Sequence, residues 1–339
     1  MKIFDYIKAA DVDAAIQQGE SADANAPANF RFIAGGTTLV DLMKLQVEAP
    51  TKLVDITNIG MDKIETLSNG SLKIGALVRN SDLANHPLVK SHYSVLSEAI
   101  LLGASAQLRN KATTGGNLLQ RTRCVYFRDE AYPCNKRVPG SGCPAIEGHH
   151  RNMAILGTSD SCIANNPSDM NVALMALEAK IELRKGSETR TVPISEFYKL
   201  PGTTPHIESI IAPGELITNV LVEAVPNGSH TSYLKLRDRA SYEFALASSA
   251  IICKMSGDSG NSGGKIDYLR VAMGGIGAIP WRAKVVEEML QGKRADQTLF
   301  EKAADALLKD ARPHKENAFK VELAKRCLVA SLTTATSAK

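Results

Sequence analysis

Four cysteines stand close together in the middle of the chain. Cys124, Cys134, Cys143 and Cys162 are separated by nine, eight and eighteen residues, and proline and glycine are frequent between them. Four thiolates have the number and softness that suit either zinc or an iron–sulfur cluster. Structural zinc sites usually contain C-x₂₋₄-C pairs and bacterial ferredoxins contain C-x₂-C-x₂-C, and neither pattern occurs here. The spacing therefore predicts a four-cysteine metal site and leaves the metal open.

The other two cysteines, and two histidines near the cluster, are expected to have no role in metal binding. Cys253 and Cys327 stand alone in apolar sequence and are expected to be small buried hydrophobic residues. His149 and His150 could ligate a metal, but adjacent histidines in a polar loop are more often solvated. The N-terminal sequence resembles neither a Sec-type nor a twin-arginine signal, so clustered cysteines are expected to bind metal and not to form disulfides.

Two glycine-bearing segments could bind a nucleotide. Residues 34–39 (AGGTTL) follow a predicted strand, and residues 107–120 (QLRNKATTGGNLLQ) combine adjacent glycines with threonines and an asparagine. Glycine lets the backbone approach a ligand closely, and N–H groups at the start of a helix suit a phosphate. Neither segment has the Rossmann or P-loop pattern, so a plain strand–turn–helix connection explains residues 34–39 equally well. Together, two such loops could hold two parts of one extended dinucleotide.

The elements that must position these segments fall into three parts. Residues 1–60 predict a small α/β unit of alternating strands and helices. Residues 61–226 predict a second α/β unit, interrupted by the cysteine-rich insertion at about 120–165. Residues 229–335 predict an antiparallel sheet with helices on one face and a glycine–serine loop at 257–265.

Within the second unit, local signals place a turn, two helices and a helix start. Asn69-Gly70 is a strong hairpin signal, and residues 80–92 and 93–110 each have the apolar pattern of a helix. Ser168 or Asp169 could cap the helix that follows the insertion. An aspartate there could also accept hydrogen bonds from ribityl or ribose hydroxyls, although capping is the more common role.

Composition excludes several classes of protein. Of the 339 residues, 44% are hydrophobic and 22% are charged, with a net charge of +4 spread along the chain. No basic stripe with interleaved aromatic residues is present, which argues against nucleic-acid binding. No window approaches the ~18 apolar residues that a membrane-spanning helix needs. We therefore expect a soluble protein whose partners are other proteins and small molecules.

Five motifs occurring in order resemble a known family. They are AGGTTL, IGALVRNSDL, QLRNKATTGGNL, PSDMNVALMAL and YLKLRDRASYEFAL. Each motif is weak alone, but together they are similar to the FAD-binding subunits of the molybdenum hydroxylases, the family of xanthine dehydrogenase and carbon monoxide dehydrogenase. The resemblance covers essentially the whole chain. It implies an α+β protein, with a FAD-binding fold of the vanillyl-alcohol-oxidase (PCMH) type in two subdomains and a C-terminal antiparallel-sheet-and-helix domain.

The insertion narrows this resemblance. Most members of the family pass from GGNL to PSDM in a few residues, whereas this chain carries the four cysteines between those motifs. Such an insertion holds a [4Fe–4S] cluster in the flavin subunits of 4-hydroxybenzoyl-CoA reductase and of bacterial periplasmic aldehyde oxidoreductase. The stretches LLQRTRCVYF, PCNKRVPGSGC and NAFKVELAKR look most like the latter. The resemblance thus implies a [4Fe–4S] cluster ligated by Cys124, Cys134, Cys143 and Cys162.

The resemblance also implies where FAD would lie. The pyrophosphate would follow the first glycine segment, through Arg31, Phe32, Ile33, Ala34, Gly35, Gly36, Thr37 and Thr38. A second flavin loop would consist of Thr113, Thr114, Gly115, Gly116 and Asn117. Asp169 would hydrogen-bond the ribityl or adenosine side, and Ile217 would pack near the flavin ring. Lys235 would lie close to the isoalloxazine, where a cation can stabilise reduced, anionic flavin.

In this family the chemistry is divided among subunits. The resemblance implies a molybdopterin-containing large subunit that hydroxylates the substrate, and a small subunit with two [2Fe–2S] clusters. This chain would have no substrate-oxidising residue, and its FAD would pass electrons to an external acceptor. Two alternatives stay open, namely the flavin subunit of a 4-hydroxybenzoyl-CoA-reductase-like enzyme and a zinc-stapled, non-enzymatic binding protein. Location is expected to be periplasmic by co-export with a partner that carries the signal, with the cytoplasm as the alternative.

Overall fold

Three β-sheets form the framework of the protein in a computed structural model that describes residues 1–20, 22, 29–256 and 264–337. Sheets and helices occur in separate blocks along much of the chain, which confirms the predicted α+β class. The glycine–serine loop predicted at 257–265 lies mostly outside the described residues. Among those that are described, no helix has both the length and the apolar character needed to cross a membrane.

The first sheet carries the first glycine segment. Its unit contains β1 (Asp5–Lys8), α1 (Val12–Glu20), β2 (Phe30–Ile33), α2 (Leu39–Lys44) and β3 (Lys52–Asp55). The strands are parallel in the order β1-β3-β2, as expected when helices make the crossovers. Helix α2 begins directly after the threonines of the glycine segment and buries Leu42 and Met43. The segment is therefore held between a paired strand and a packed helix.

The second sheet is antiparallel and brackets the insertion in sequence. Its strands are β4 (Ile64–Thr66), β5 (Leu72–Gly75), β6 (Lys180–Lys185), β7 (Glu188–Pro193) and β8 (Leu216–Val222), in the order β4-β5-β8-β6-β7. Its helices are α3 (Asn80–Asn85), α4 (Pro87–His92), α5 (Ser94–Leu102), α6 (Ala106–Arg109), α7 (Thr114–Leu118), α8 (Asp169–Ala176) and α9 (Ile194–Phe197). The predicted hairpin is present, with Gly70 at a φ of 82°.

Two predicted helices are each broken in the structure. The helix predicted over 80–92 is interrupted at Pro87, which starts α4 and leaves His86 extended with a ψ of 131°. Proline excludes the helical conformation from the residue before it, so the break has a direct cause. The helix predicted over 93–110 divides into α5 and α6, because Ala104 adopts left-handed backbone with a φ of 50°.

The third sheet belongs to the C-terminal domain. Its elements are β9 (His230–Leu236), β10 (Ala247–Ser256), β11 (Lys265–Gly274), β12 (Trp281–Arg282), α10 (Lys284–Leu290), α11 (Gln297–Leu308), a 3₁₀ turn (Lys315–Asn317) and α12 (Phe319–Ser337). The strands are antiparallel in the order β12-β11-β10-β9. Ile251 and Cys253 pack under the C-terminal helices, whereas Ala250 and Ile252 join the core of the second unit.

Because alternate residues of β10 pack into two different cores, the prediction of helices on one face of this sheet was wrong. Helices cover both faces of the third sheet and not one, because α5 and α8 of the second unit pack against β9, β10 and β11. A strand with both faces covered is buried at every position, as β10 is from Ala247 to Cys253. Cys253 and Cys327 are 1% and 0% exposed in this domain, as expected for small buried hydrophobic residues.

Candidate functional site

The four clustered cysteines line one small cavity. The rest of its wall consists of Tyr126, Phe127, Pro133, Asn135, Lys136, Pro144, Ala145, Ser161 and Ala164. Cys124 and Cys162 are buried, at 5% and 6% exposure, while Cys134 and Cys143 are partly exposed. The structure thus brings together four residues that are spread over nearly forty positions of the sequence. Two of them form the inner end of the cavity and two lie nearer to solvent.

Backbone N–H groups point at the cysteine sulfurs. Burial raises the pKa of Cys124 to about 11, and hydrogen bonds from the N–H groups of Phe127 and Tyr126 oppose this rise. Burial also raises the pKa of Cys143, opposed by hydrogen bonds from the N–H groups of Ile163, Ala145 and Ile146. Donors of this kind stabilise a thiolate, which is the form of cysteine that binds metal. The loop therefore supplies both the sulfurs and the groups that support their charge.

The cavity differs from a site for one metal ion. Among the described residues, no group of three or more His, Cys, Asp or Glu side chains could hold a metal ion as the side chains stand. A single tetrahedral zinc would draw four sulfurs to roughly 3.8 Å from one another, given Zn–S bonds of about 2.3 Å. The arrangement gathers four thiols around a common space without that convergence.

The histidine pair lies outside the cavity wall. His149 is 88% exposed, as expected, but His150 is buried and was expected to be solvated. His150 Nε2 accepts a hydrogen bond from the N–H of Glu316 at 2.9 Å, and its Nδ1 lies 3.2 Å from the carbonyl oxygen of Ala145. The buried ring therefore joins the insertion to the 3₁₀ turn that precedes α12, so the prediction for His150 was wrong.

The first glycine segment exposes a row of backbone donors. In the part of the chain that the structure describes, the N–H groups of Gly35, Gly36, Thr37 and Thr38 donate to no protein acceptor. Gly36 has a φ of 70°, which an L residue rarely adopts. A Cβ at Gly35 would collide with the carbonyl oxygen of Lys111. This loop can therefore accept an anion such as a pyrophosphate on its N–H groups, and it touches the second glycine segment.

The second glycine segment is fixed at both ends. Thr113 caps α7 by accepting a hydrogen bond from the N–H of Gly116 at 3.3 Å. Asn117 Oδ1 accepts a hydrogen bond from Ser168 Oγ at 2.7 Å. Ser168 also accepts from the N–H of Asn171 at 3.1 Å, so Ser168 is the cap of α8. The two predicted flavin loops and the start of α8 therefore form one connected surface.

Asp169 and Lys235 form a buried ion pair at this surface. Lys235 Nζ lies 2.8 Å from Asp169 Oδ2, and the two side chains are 1% and 7% exposed. The hydroxyl of Tyr233 donates to the other carboxylate oxygen at 2.7 Å. Burial and the charge of Asp169 hold the pKa of Tyr233 well above its usual value, so the hydroxyl stays protonated. The structure thus places side by side two residues that were predicted at different parts of the flavin.

Ile217, another predicted site residue, lies in strand β8 and not in a loop. Its side chain is 3% exposed and lies in the hydrophobic core of the second unit. In β8 it faces Leu183 of β6 across the sheet. Its proposed contact with the flavin ring stays a prediction.

Sequence reasoning missed a row of ion pairs that runs from the first unit to the cysteine cavity. We call it the charge row, and its members in order are Arg31, Glu48, Arg121, Glu208 and Lys136. Glu48 accepts from Arg31 at 2.7 Å and from Arg121 at 2.6 Å, and Glu208 accepts from Arg121 at 2.5 Å and from Lys136 at 2.9 Å. Burial opposes ionisation of Glu208, but the charges of Arg121 and Lys136 hold its pKa below the usual value. The signs therefore alternate along the whole row.

Helix α2 contacts the insertion directly. Asp41, in its first turn, accepts from Arg128 and, at 3.4 Å, from Arg123. Leu42 packs in one hydrophobic cluster with Cys124 and Phe127. The helix that follows the first glycine segment is therefore packed against the wall of the cysteine cavity.

The chain is similar to known proteins along nearly its whole length. Residues 2–224 match the FAD binding domain in molybdopterin dehydrogenase, and residues 232–335 match the CO dehydrogenase flavoprotein C-terminal domain. The aldehyde oxidoreductase FAD-binding subunit PaoB of Escherichia coli is 50% identical over 90% of this chain and 91% of its own. The glyceraldehyde dehydrogenase medium chain of Sulfolobus acidocaldarius is 29% identical over 93% of this chain and 90% of its own. A solved CO dehydrogenase from Oligotropha carboxidovorans shares the fold with a TM-score of 0.76 at 22% identity, covering 99% of both chains.

Proposed function

This chain belongs to the FAD-binding subunits of the molybdenum hydroxylase family, and we propose that it is the FAD- and [4Fe–4S]-containing electron-transfer subunit of a molybdenum-dependent aldehyde oxidoreductase. Electrons would come from the [2Fe–2S] clusters of a small partner subunit and leave through FAD to an external acceptor. A molybdopterin-containing large subunit would hold the substrate site. The observation that carries the proposal is the cavity of four cysteines, which lies within the residues (2–224) that match a FAD binding domain.

The geometry of the cavity favours a cluster over zinc. In a [4Fe–4S] cluster each cysteine binds a different iron atom, so the four sulfurs surround a space and do not converge on one point. The described cysteines line a common cavity but do not converge as ligands of one ion would. Backbone hydrogen bonds to cluster sulfurs are also a common feature of iron–sulfur sites. Cys124, Cys134, Cys143 and Cys162 are therefore the proposed ligands.

The flavin site is proposed at the surface formed by the two glycine segments. The N–H groups from Gly35 to Thr38, which have no acceptor among the described residues, would bind the pyrophosphate, and the loop from Thr113 to Asn117 would contact the adjoining part of the cofactor. FAD, when bound, supplies the ability to exchange one or two electrons. Lys235 would place a buried positive charge near the isoalloxazine, with Asp169 and Tyr233 fixing its position. None of these residues oxidises a substrate.

The assignment to aldehydes depends on the relatives. The bacterial relative with 50% identity is named an aldehyde oxidoreductase subunit, and an archaeal relative is named a glyceraldehyde dehydrogenase medium chain. The substrate pocket would lie in a partner, so this chain's residues do not define which aldehyde is used. The periplasmic location by co-export stays a prediction, and cell fractionation of the tagged complex would test it.

An absorption spectrum of the purified complex tests the proposal. We expect flavin bands near ~450 nm on a broad iron–sulfur background, with FAD bound in proportion to this chain. Cys134→Ser should remove part of the iron–sulfur absorption, while Cys253→Ala, at a buried cysteine outside the cavity, should leave the spectrum unchanged. Stoichiometric zinc in place of iron in the cysteine cavity would contradict the proposal.

A further inference from the structure

The charge row ends in a cation at each proposed cofactor site. At one end Arg31 lies in β2, the strand that leads into the first glycine segment. At the other end Lys136 lines the cysteine cavity. The row therefore connects the strand before the proposed pyrophosphate segment with the wall of the cysteine cavity.

We propose that Glu48 is a positioning residue that couples the two cofactor sites, so that FAD binds more tightly when the cysteine cavity holds its cluster. The proposal rests on the function proposed above. Glu48 is at the centre of the coupling because each of its carboxylate oxygens accepts from a different arginine. Its side chain is 6% exposed, so water cannot readily replace either arginine.

The inner members of the row depend on one another because Glu48 and Lys136 are largely buried and Arg121 is mostly so. The side chains of Lys136 and Arg121 are 10% and 20% exposed, and Arg121 also lies 4.5 Å above the ring of Phe127, in the cavity wall. Removing one charge from such a row leaves its neighbour unpaired in a poorly solvated place, which is strongly unfavourable. When a cluster fixes Lys136 against its thiolate ligands, the remaining members are held in turn. Arg31 is then already ordered when FAD arrives, so less conformational entropy is lost on binding.

Contacts of helix α2 add to the same coupling. Arg128 and Arg123 of the insertion both reach Asp41, and Leu42 packs on the cysteine side. Glu48 follows this helix in the chain, and its N–H donates to the carbonyl oxygen of Leu42 at 3.2 Å. An insertion held by its cluster therefore fixes both the helix after the glycine segment and the carboxylate that holds Arg31.

The test compares FAD affinity in four forms of the purified complex, each stripped of flavin and titrated with FAD by fluorescence. These are the parent, Glu48→Gln, Cys134→Ser and the double variant. We expect each single variant to weaken FAD binding on the order of tenfold, and the double variant to weaken it little further, because both changes interrupt one coupling. Glu48→Gln should keep its cluster iron, a result that separates lost coupling from general unfolding.

Glu287→Gln is the matched control, since Glu287 is similarly buried and pairs with Arg282 at 2.5 Å in the C-terminal domain. Glu208→Gln provides a second variant of the row if Glu48→Gln fails to fold. Equal FAD affinity in Glu48→Gln and Glu287→Gln, or fully additive losses in the double variant, would overturn the coupling. A parent complex that lacks cluster iron or FAD would instead contradict the proposed function.

Discussion

The cysteine-rich insertion (residues 119–168) and the C-terminal domain (residues 230–337) are stabilised in different ways. The insertion contains no helix or strand, and its interior is a cavity lined by four cysteines. Arg137 links parts of the insertion by donating to the carbonyl oxygens of Tyr126, Phe127 and Tyr132. The C-terminal domain instead packs a sheet and three helices around an apolar core. The comparison indicates that the insertion depends on what its thiols bind, whereas the C-terminal domain is stabilised by an apolar core, to which Ile155 and Leu156 of the insertion also contribute.

The largest effect is expected from removing a cysteine at the inner end of the cavity. Cys162→Ser should abolish cluster binding and expose the insertion to solvent. The apolar core of the insertion is much smaller than that of the C-terminal domain, so it cannot hold the segment alone. Hydrogen exchange should accelerate over residues 119–168 and stay unchanged in β10 and β11. Equal acceleration in both regions, or none in the insertion, would mean that the contrast between them is wrong.

A core truncation in the C-terminal domain should give the opposite pattern. Leu328 is fully buried under the third sheet, and Leu328→Ala should lower the free energy of unfolding by about 2–5 kcal/mol through the cavity it leaves. Thermal unfolding measures the loss, and iron analysis serves as the control. If the two regions are stabilised separately, Leu328→Ala should keep all of its cluster iron. A Leu328→Ala protein that folds but lacks the cluster would contradict that separation.

A smaller, pH-dependent effect is expected where the two regions meet. Lys320 is fully buried in α12 and donates to the carbonyl oxygens of Asn152, Met153 and Gly275 at 3.2, 2.9 and 2.8 Å. Burial, aided by the charge of Arg151, lowers the pKa of Lys320 to about 7. Between this value and its usual value near 10.5, the unfolded chain binds a proton that the folded chain does not. The penalty for burying the charge is therefore present below pH 7 and is relieved as the pH rises.

The free energy of unfolding of the parent should thus rise by roughly 1 kcal/mol from pH 7 to pH 8, relative to Lys320→Met. The variant loses the three hydrogen bonds and is expected to be less stable throughout, but it should lack this slope. Unfolding measured at several pH values in both proteins provides the comparison. Identical slopes would show that Lys320 stays charged across this range.

The smallest effect is expected on the surface of the C-terminal domain. Arg326 pairs with Glu322 one turn away at 2.6 Å, and the two side chains are 75% and 59% exposed. Arg326→Gln should change the free energy of unfolding by less than about 0.5 kcal/mol, because solvent screens such a pair. A change of 1 kcal/mol or more by thermal unfolding would indicate that charged contacts matter in this domain as they do in the insertion.

Sequence patterns predicted the parts of the structure that depend on local chemistry. The hairpin at Asn69-Gly70 and the grouping of four cysteines follow from turn residues and spacing, whereas the α+β class followed from the family resemblance. The break at Pro87 also had a local signal, since the residue before a proline avoids the helical conformation. The single long helix was therefore an avoidable error.

The missed features depend on residues far apart in the chain. Arg121 reaches Glu48 across 73 positions and Glu208 across 87, and glutamate and arginine are too common for such pairs to be singled out. His150 is buried where Glu316, 166 positions away, donates to its ring. Both features arise from the packing of the insertion on its neighbours, which no local pattern encodes.

The central claim is that the cysteine cavity holds a [4Fe–4S] cluster, and Mössbauer spectroscopy of the ⁵⁷Fe-enriched complex tests it most directly. With two [2Fe–2S] clusters in a partner, about half of the iron should appear as a [4Fe–4S] component, and Cys134→Ser should lose that component alone. A parent spectrum that contains only [2Fe–2S] iron, unchanged by Cys134→Ser, would contradict the account.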